Sequence, residues 1–243
     1  MASDKFPDTD DGFLFAASAF ECEAEGKRLT GYGCRFRASM YRDELYERHG
    51  VHFPAQFGRA VSKRRSDYLA GRICAQRALA ALGIIGADIA IGPNREPVWP
   101  AGVVASISHA GDRAVCIAST DPDVVGLGID IEGSLQPGMA ADIRREVVDA
   151  AEEEAVQAHF PDFTLGLAVV FSAKESLYKA LYPQVGRFFG FEAMRIVRIE
   201  AERIVFAATE ELSATVASGA EYAAHYLVAD GEVRTVACVR RPG

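Results

Sequence analysis

Three carboxylates and two lysines fall in two short segments of this chain, in a pattern suited to a divalent cation and a phosphorylated ligand. The first segment is Gly126-Leu-Gly-Ile-Asp-Ile-Glu132, where Asp130 and Glu132 alternate with Ile129 and Ile131. On a strand these acids leave one face roughly 6.6 Å apart, so that one ion fits between them. The second is Phe171-Ser-Ala-Lys-Glu-Ser-Leu-Tyr-Lys179, where Glu175 and Lys179 are four apart and stack on one face of a helix. Taken singly each is ordinary: Asp-x-Glu usually marks a solvated strand face, and Glu-x-x-x-Lys a surface ion pair worth about 0.3 kcal/mol. Gly126 and Gly128 change the odds, because glycine weakens a strand and often marks close approach of a ligand or another backbone.

An anionic ligand needs positive charge, and the chain as a whole carries −8. That balance argues against broad nucleic-acid binding, which leaves a basic footprint. A local basic patch exists nonetheless: Arg59, Lys63, Arg64, Arg65, Arg72 and Arg77 stand against the single Asp67. Such a run is otherwise read as a solvated helix face.

The elements that must position these groups follow from periodicity. Ala60 to Leu82 carries a helical apolar stripe through Leu69, Ile73 and Ala80, with Gly83 as the stop. A short strand near Ile89, a turn-rich Gly92-Pro-Asn-Arg-Glu-Pro97 and a hairpin follow, its arms Val103 to His109 and Arg113 to Ser119. The second half reads as a strand from Val124 to Glu132, a loop Gly133-Ser-Leu-Gln-Pro-Gly138 and an acidic helical stretch near Glu152 to His159. A helix from about Thr164 to Tyr182 closed by Pro183 comes next, then strands Arg195–Glu200 and Arg203–Thr209. A hairpin of Tyr222–Ala229 and Val233–Arg240 turns at Asp230-Gly231. Both halves give strand, connection, long helix and antiparallel strands, which predicts an α+β fold of two similar lobes with the site in the cleft between them. The expected boundaries are a frayed N-terminus over 1–12, a first lobe over 13–123 and a second over 124–243.

With 49% hydrophobic residues the 243-residue chain can bury a full core. No run reaches the roughly 18 apolar residues of a membrane span, and the acidic start resembles no export signal. The five cysteines are odd in number, widely spaced and never Cys-x-x-Cys, so reduced thiols in a cytoplasmic protein are expected, with neither disulfides nor zinc.

Four blocks in order resemble the two-lobed, surfactin-type 4′-phosphopantetheinyl transferases, in the branch like component D of enterobactin synthase. They are Lys63-Arg-Arg-Ser-Asp-Tyr-Leu-Ala-Gly-Arg72, Arg95-Glu-Pro-Val-Trp-Pro-Ala-Gly102 running into Ser106-Ile-Ser-His109, Gly128-Ile-Asp-Ile-Glu132 and Phe171 to Lys179. The departures are Asp67 and Tyr68 in the first block, Arg65 beside Arg64, and Phe171 where many relatives carry tryptophan, here read as packing.

The resemblance implies two pseudo-two-fold related lobes and Mg²⁺-dependent transfer of 4′-phosphopantetheine from coenzyme A to a serine of an apo acyl or peptidyl carrier protein, releasing adenosine 3′,5′-bisphosphate. It assigns Asp130, Glu132 and Glu175 to the metal. Glu175, directly or through a metal-bound water, takes the serine proton, and Lys179 neutralises the departing bisphosphate. Ser108, His109, Arg64, Arg72 and Arg95 are the implied phosphate contacts, with Asp130 and Lys179 also touching coenzyme A. Lys174, about 100° from Glu175 around the helix, reaches the ligand from the side or faces solvent. Which of Arg64 and Arg65 engages phosphate stays open. A monomer is expected, since one chain supplies both lobes. A carrier would dock near Phe188, Phe189 and Phe191 or before Thr164, although phenylalanines are more often core. The rival readings are an inactive coenzyme A or carrier-binding module and a metal-dependent nucleotide hydrolase, the latter disfavoured by the absence of a P-loop.

Overall fold

A computed structural model describes residues 11–133 and 137–241. The frayed terminus expected over 1–12 falls largely outside them, as does the middle of the expected 133–138 loop. Asp11, at the end of that first stretch, is held: its carboxylate accepts the Phe13 amide at 2.9 Å and meets the His49 ring at 2.8 Å.

The chain opens with a hairpin of β1 (Leu14–Ala24) and β2 (Lys27–Phe36), followed by a short α1 (Glu44–Arg48) and the long α2 (Ser62–Ala81). A two-stranded ribbon of β3 (Ala90–Ile91) and β4 (Pro97–Val98) leads to β5 (Val104–Ala110) and β6 (Arg113–Ser119). After β7 (Val124–Glu132) come α3 (Pro137–Val147), α4 (Ala150–His159) and α5 (Phe163–Val185), then β8 (Met194–Ile199), β9 (Arg203–Ala208), β10 (Glu221–Ala229) and β11 (Glu232–Arg240). The strands form antiparallel sheets in the orders β1-β2-β6-β5 and β7-β11-β10-β9-β8, which with the helices make an α+β fold.

Three apolar clusters account for this arrangement. One lies between α2 and the first sheet, around Leu69, Ile73, Leu79 and Phe36. A second lies between α5 and the second sheet, around Leu167, Leu177 and Phe206. The third joins the sheets to each other: Leu29, Val115 and Ile117 from the first meet Leu127, Ile129 and Val236 from the second. Burial of this kind contributes about 25 cal/mol per Å² of apolar surface, so the third cluster is what makes the halves one body.

Most sequence-derived elements form within a residue or two of their expected bounds, and three differences have physical causes. Pro183 sits inside α5, because a proline one turn from a helix end forfeits one late hydrogen bond only; the helix stops at Gly186, in the left-handed region at φ 68°, whose amide bonds the Tyr182 carbonyl. α3 occupies a stretch expected to begin as loop. The halves are also not matched strand for strand, since the first opens with the β1–β2 hairpin and the second with β7 alone. α4 begins as its sequence dictates, with Asp149 and Glu152 forming a reciprocal capping box.

Candidate active site

The edge strands of the two sheets, β5 and β7, lie side by side, and α5 lies across β7. What lets α5 come so close is the absence of side chains: a Cβ on Gly128 would stand 1.7 Å from the Ser176 carbonyl oxygen, and one on Gly126 2.0 Å from that of Ala180. The glycines therefore mark the approach of a helix backbone. At this distance Lys179 reaches past the glycines to β7, donating to Asp130 Oδ1 at 2.7 Å and the Ile129 carbonyl at 3.0 Å. It makes this bond rather than an ion pair with Glu175 one turn earlier, although burial raises the Glu175 pKa and the Lys179 charge still opposes that rise.

Asp130 is buried, and its Oδ1 also accepts the Ser108 hydroxyl at 2.8 Å, while its buried Oδ2 has no hydrogen-bond partner. Glu132 leaves the same face of β7 and is pushed up to about 7, first by burial and then by the charges of Asp130 and Glu175, Lys179 opposing. Burial likewise raises Glu175, against Lys179 and with help from Asp130. Among the described residues no three acidic, histidine or cysteine side chains already converge as a closed ligand set. An orphaned Asp130 oxygen beside two acids whose ionisation is disfavoured by burial and by neighbouring carboxylates is nonetheless what a bound divalent cation would relieve, so the donor set fits one.

On the other face of β5 lies an open cavity of about 1100 Å³. Arg59, Lys63, Arg64, Arg72, Arg95 and His109 contribute to its lining. The cavity belongs to the first half of the chain, and the expected cleft between lobes is instead divided: basic groups on one side of β5, acids on the other. The two sides communicate through His109. Its ring opens onto the cavity, yet surrounding protein pushes its pKa below the ordinary value; Asp67 and Asp130 oppose this and Lys179 and Lys63 assist. The imidazole is then neutral at pH 7, an uncharged donor or acceptor.

Three arginines reach the cavity by different routes. Arg72 is buried because Gly71, beside it on α2, lets the helix sit against Ile107 of β5; its Nε donates to the Ile89 carbonyl at 3.1 Å and its guanidinium lies 4.4 Å from the centre of the Tyr68 ring. Arg64 is exposed on the cavity wall beside Phe57. Arg95 reaches in from the β3–β4 turn at φ 69°, a conformation that costs a non-glycine residue about 1 kcal/mol. Arg65 is turned away, paired with Asp43 at 2.9 Å and bonded to the Gly58 carbonyl, which separates it from its neighbour Arg64.

Lys174 does not face solvent, and although it stands at the wall of the groove beside Glu175, its ammonium is already engaged. It is 3% exposed, and its three protons go to Glu152, the Val147 carbonyl at 2.7 Å and the Phe191 carbonyl at 3.3 Å. No donor remains for a phosphate. The anchor ties α5 to the end of α3, the start of α4 and the turn before β8. Glu175, one residue on, lines the same mainly apolar groove of about 270 Å³, together with Tyr178, Phe188, Phe189, Phe191 and Met194. Of the three phenylalanines, Phe189 is buried, Phe191 half-buried against Phe171, and Phe188 exposed. Sequence reasoning assigned Ser106 and Tyr68 no role of their own in the site, although the Ser-x-Ser alternation on β5 was the available signal for the first, and it offered the groove's phenylalanines only as a carrier-docking candidate.

A family model described as the 4′-phosphopantetheinyl transferase N-terminal domain matches residues 53–119, and one for the 4′-phosphopantetheinyl transferase superfamily matches residues 126–230. Enterobactin synthase component D of Escherichia coli strain K12 is 36% identical over 160 residues, covering 66% of this chain and 74% of that protein. The Salmonella typhi protein of the same name is 36% identical over 145 residues, 60% of this chain and 59% of that one. The 4′-phosphopantetheinyl transferase PptT of Mycobacterium tuberculosis is 38% identical over 146 residues, 57% and 60% of the two chains. The chain thus spans 59% to 74% of the length of these relatives. It belongs to the 4′-phosphopantetheinyl transferase superfamily, in the branch like enterobactin synthase component D.

Proposed function

We propose that the protein transfers 4′-phosphopantetheine from coenzyme A to a serine of an apo carrier protein, releasing adenosine 3′,5′-bisphosphate. The observation that carries this reading is the division made by β5, which gives Ser108 to the acid cluster and His109 to the basic cavity. A substrate with a 3′-phosphorylated nucleoside at one end, joined to a pantetheine arm through a pyrophosphate to be cleaved, needs that pairing. The cavity, with Arg64, Arg72, Arg95 and His109, suits the nucleoside end and its phosphates, guanidinium groups binding phosphate oxygens in forked pairs. The groove beside Glu175 suits the pantetheine arm, which leads away from the attacked phosphorus.

The carrier serine oxygen attacks the pantetheine-side phosphorus, and the bond from that phosphorus to the bridging oxygen breaks. The serine proton passes to a Glu175 carboxylate oxygen, whose raised pKa makes it a better base than an ordinary carboxylate. Lys179, with 26% of its side chain exposed and its protons on Asp130, the Ile129 carbonyl and Ser108, supplies positive charge rather than a spare hydrogen bond to the departing bisphosphate. Mg²⁺, held by Asp130, Glu132 and Glu175, would supply charge neutralisation on the pyrophosphate oxygens. Positioning and electrostatics carry such a transfer, since no covalent enzyme intermediate is needed.

The relatives named as components of enterobactin synthase make a siderophore-synthase carrier the first acceptor to try. A cytoplasmic, monomeric enzyme accords with five free cysteines and with both parts of the site lying on one chain. No described helix is long and apolar enough to cross a membrane. Incubation with coenzyme A, Mg²⁺ and an apo carrier tests the reading by mass spectrometry of the carrier. A carrier bearing phosphopantetheine supports it; free bisphosphate with an unmodified carrier supports a hydrolase, and no turnover supports a binding module.

A further inference from the structure

β7 and β5 are both edge strands, and no ladder joins them. The outward-facing backbone groups of β7 would be left without partners between two packed sheets, an arrangement that buried amides do not tolerate. Side chains take them instead. The Ile129 amide donates to Ser106 Oγ at 3.1 Å, the Ile131 amide to Ser108 Oγ at 3.4 Å, and the Ile129 carbonyl accepts Lys179 Nζ at 3.0 Å. Ser106 and Ser108 alternate with Ile107 on β5, so both hydroxyls face β7 and substitute for a strand's carbonyls.

Ser108 does more than Ser106. A hydroxyl has one proton, and that of Ser108 goes to Asp130 Oδ1 at 2.8 Å, while its lone pairs face the Ile131 amide and, at 3.4 Å, Lys179 Nζ. The residue is 6% exposed. No proton remains to offer a phosphate oxygen, whereas Asp130 is held with Oδ1 engaged and Oδ2 left open. We propose that Ser108 is a positioning residue, fixing the Asp130 carboxylate through the seam between the sheets and leaving phosphate recognition to the cavity side, and that Ser106 serves the seam alone. This rests on the function proposed above.

The test compares Ser108→Ala and Ser106→Ala with the parent chain in three measurements: coenzyme A affinity by calorimetry without carrier, the Mg²⁺ concentration for half-maximal transfer, and the thermal midpoint. Ser108→Ala is expected to raise the Mg²⁺ midpoint at least tenfold and lower kcat while coenzyme A affinity stays within twofold. Ser106→Ala is expected to lower the thermal midpoint and leave the Mg²⁺ midpoint where it was. A tenfold loss of coenzyme A affinity in Ser108→Ala with an unchanged Mg²⁺ midpoint overturns the proposal, because the hydroxyl then touches phosphate. An unchanged Ser108→Ala protein in all three measurements overturns it as well. A parent chain without transferase activity sinks the function alone; the same comparison is then read from calorimetric Mg²⁺ uptake, where equal uptake by parent and Ser108→Ala is the overturning result.

Discussion

Replacing Gly128 by alanine tests whether the glycine exists to admit a helix. The new Cβ would stand 1.7 Å from the Ser176 carbonyl oxygen, and ordinary contact begins at 3.4 Å. Backbone blocks backbone here, so no rotamer change resolves the clash, and α5 must withdraw from β7 by up to about 1.7 Å, the difference between those distances. The Lys179–Asp130 contact, 2.7 Å in the parent, would open past 4 Å if it followed fully. Overpacking of this size costs about 3 kcal/mol or slightly more, which in a chain of this length lowers the melting midpoint by roughly 6–12 °C. Misplacing catalytic groups by about 1 Å costs about a hundredfold in rate, so kcat should fall by at least that factor in protein shown to be folded at the assay temperature. Gly133→Ala is the control: nothing lies within 4 Å of its Cβ and its φ needs no glycine, so its midpoint should move by no more than about 2 °C. Calorimetric melting and carrier modification by mass spectrometry read both effects. A Gly128→Ala protein with parental midpoint and kcat would refute the claim that the missing side chain sets the helix position.

Burial raises the Glu132 pKa to about 7, so between its unfolded value near 4.5 and that figure the folded state holds the proton more tightly. Stability without metal should therefore fall as pH rises through this window; Mg²⁺ should offset the fall and Glu132→Gln flatten it, as followed by melts from pH 4.5 to 7.5. Arg64→Ala should raise KM for coenzyme A about tenfold, the loss of one charge-assisted bond worth about 1.5 kcal/mol. Arg65→Ala, whose side chain is already spent on Asp43, should leave KM unchanged; equal effects would reverse the assignment. Lys174→Met leaves Glu152 charged and buried, so a loss of about 3–5 kcal/mol in denaturant titration is expected, with parental coenzyme A affinity in the folded fraction.

The parts of the site legible in the sequence were those written in local periodicity. Asp130 and Glu132 share a strand face because side chains alternate, and Glu175 and Lys179 share a helix face because four residues make a turn. Which partner a side chain selects across that face was not legible. Lys179 bonds Asp130 rather than Glu175 because two glycines far along the chain from it bring β7 within reach. Lys174 is drawn inward by a carboxylate and two carbonyls that come from three other elements. Arg64 and Arg65 are separated only by the loop carrying Asp43. Likewise the β1–β2 hairpin carries a weak alternation, with several exposed residues in β1, and its place is set by pairing with β6 from much later in the chain.

One structural choice links stability and chemistry in this molecule. Two sheets meet at their edges without sharing a ladder, so the exposed groups of β7 must be met by side chains, and those side chains come from the two segments that flank the acids. Ser106 and Ser108 approach from β5 and Lys179 from α5, and each bond that closes the seam falls on Asp130 or on one of its neighbours, Ile129 and Ile131. Closing the seam with a backbone ladder between β5 and β7 would have left Asp130 oriented by packing alone. Using hydroxyls and an ammonium instead places polar hydrogen next to a buried carboxylate while leaving one of its oxygens open. The local cost of an unpaired Oδ2, about 1–3 kcal/mol for a buried acceptor, is then tolerable because burial of the third apolar cluster holds the sheets together around it.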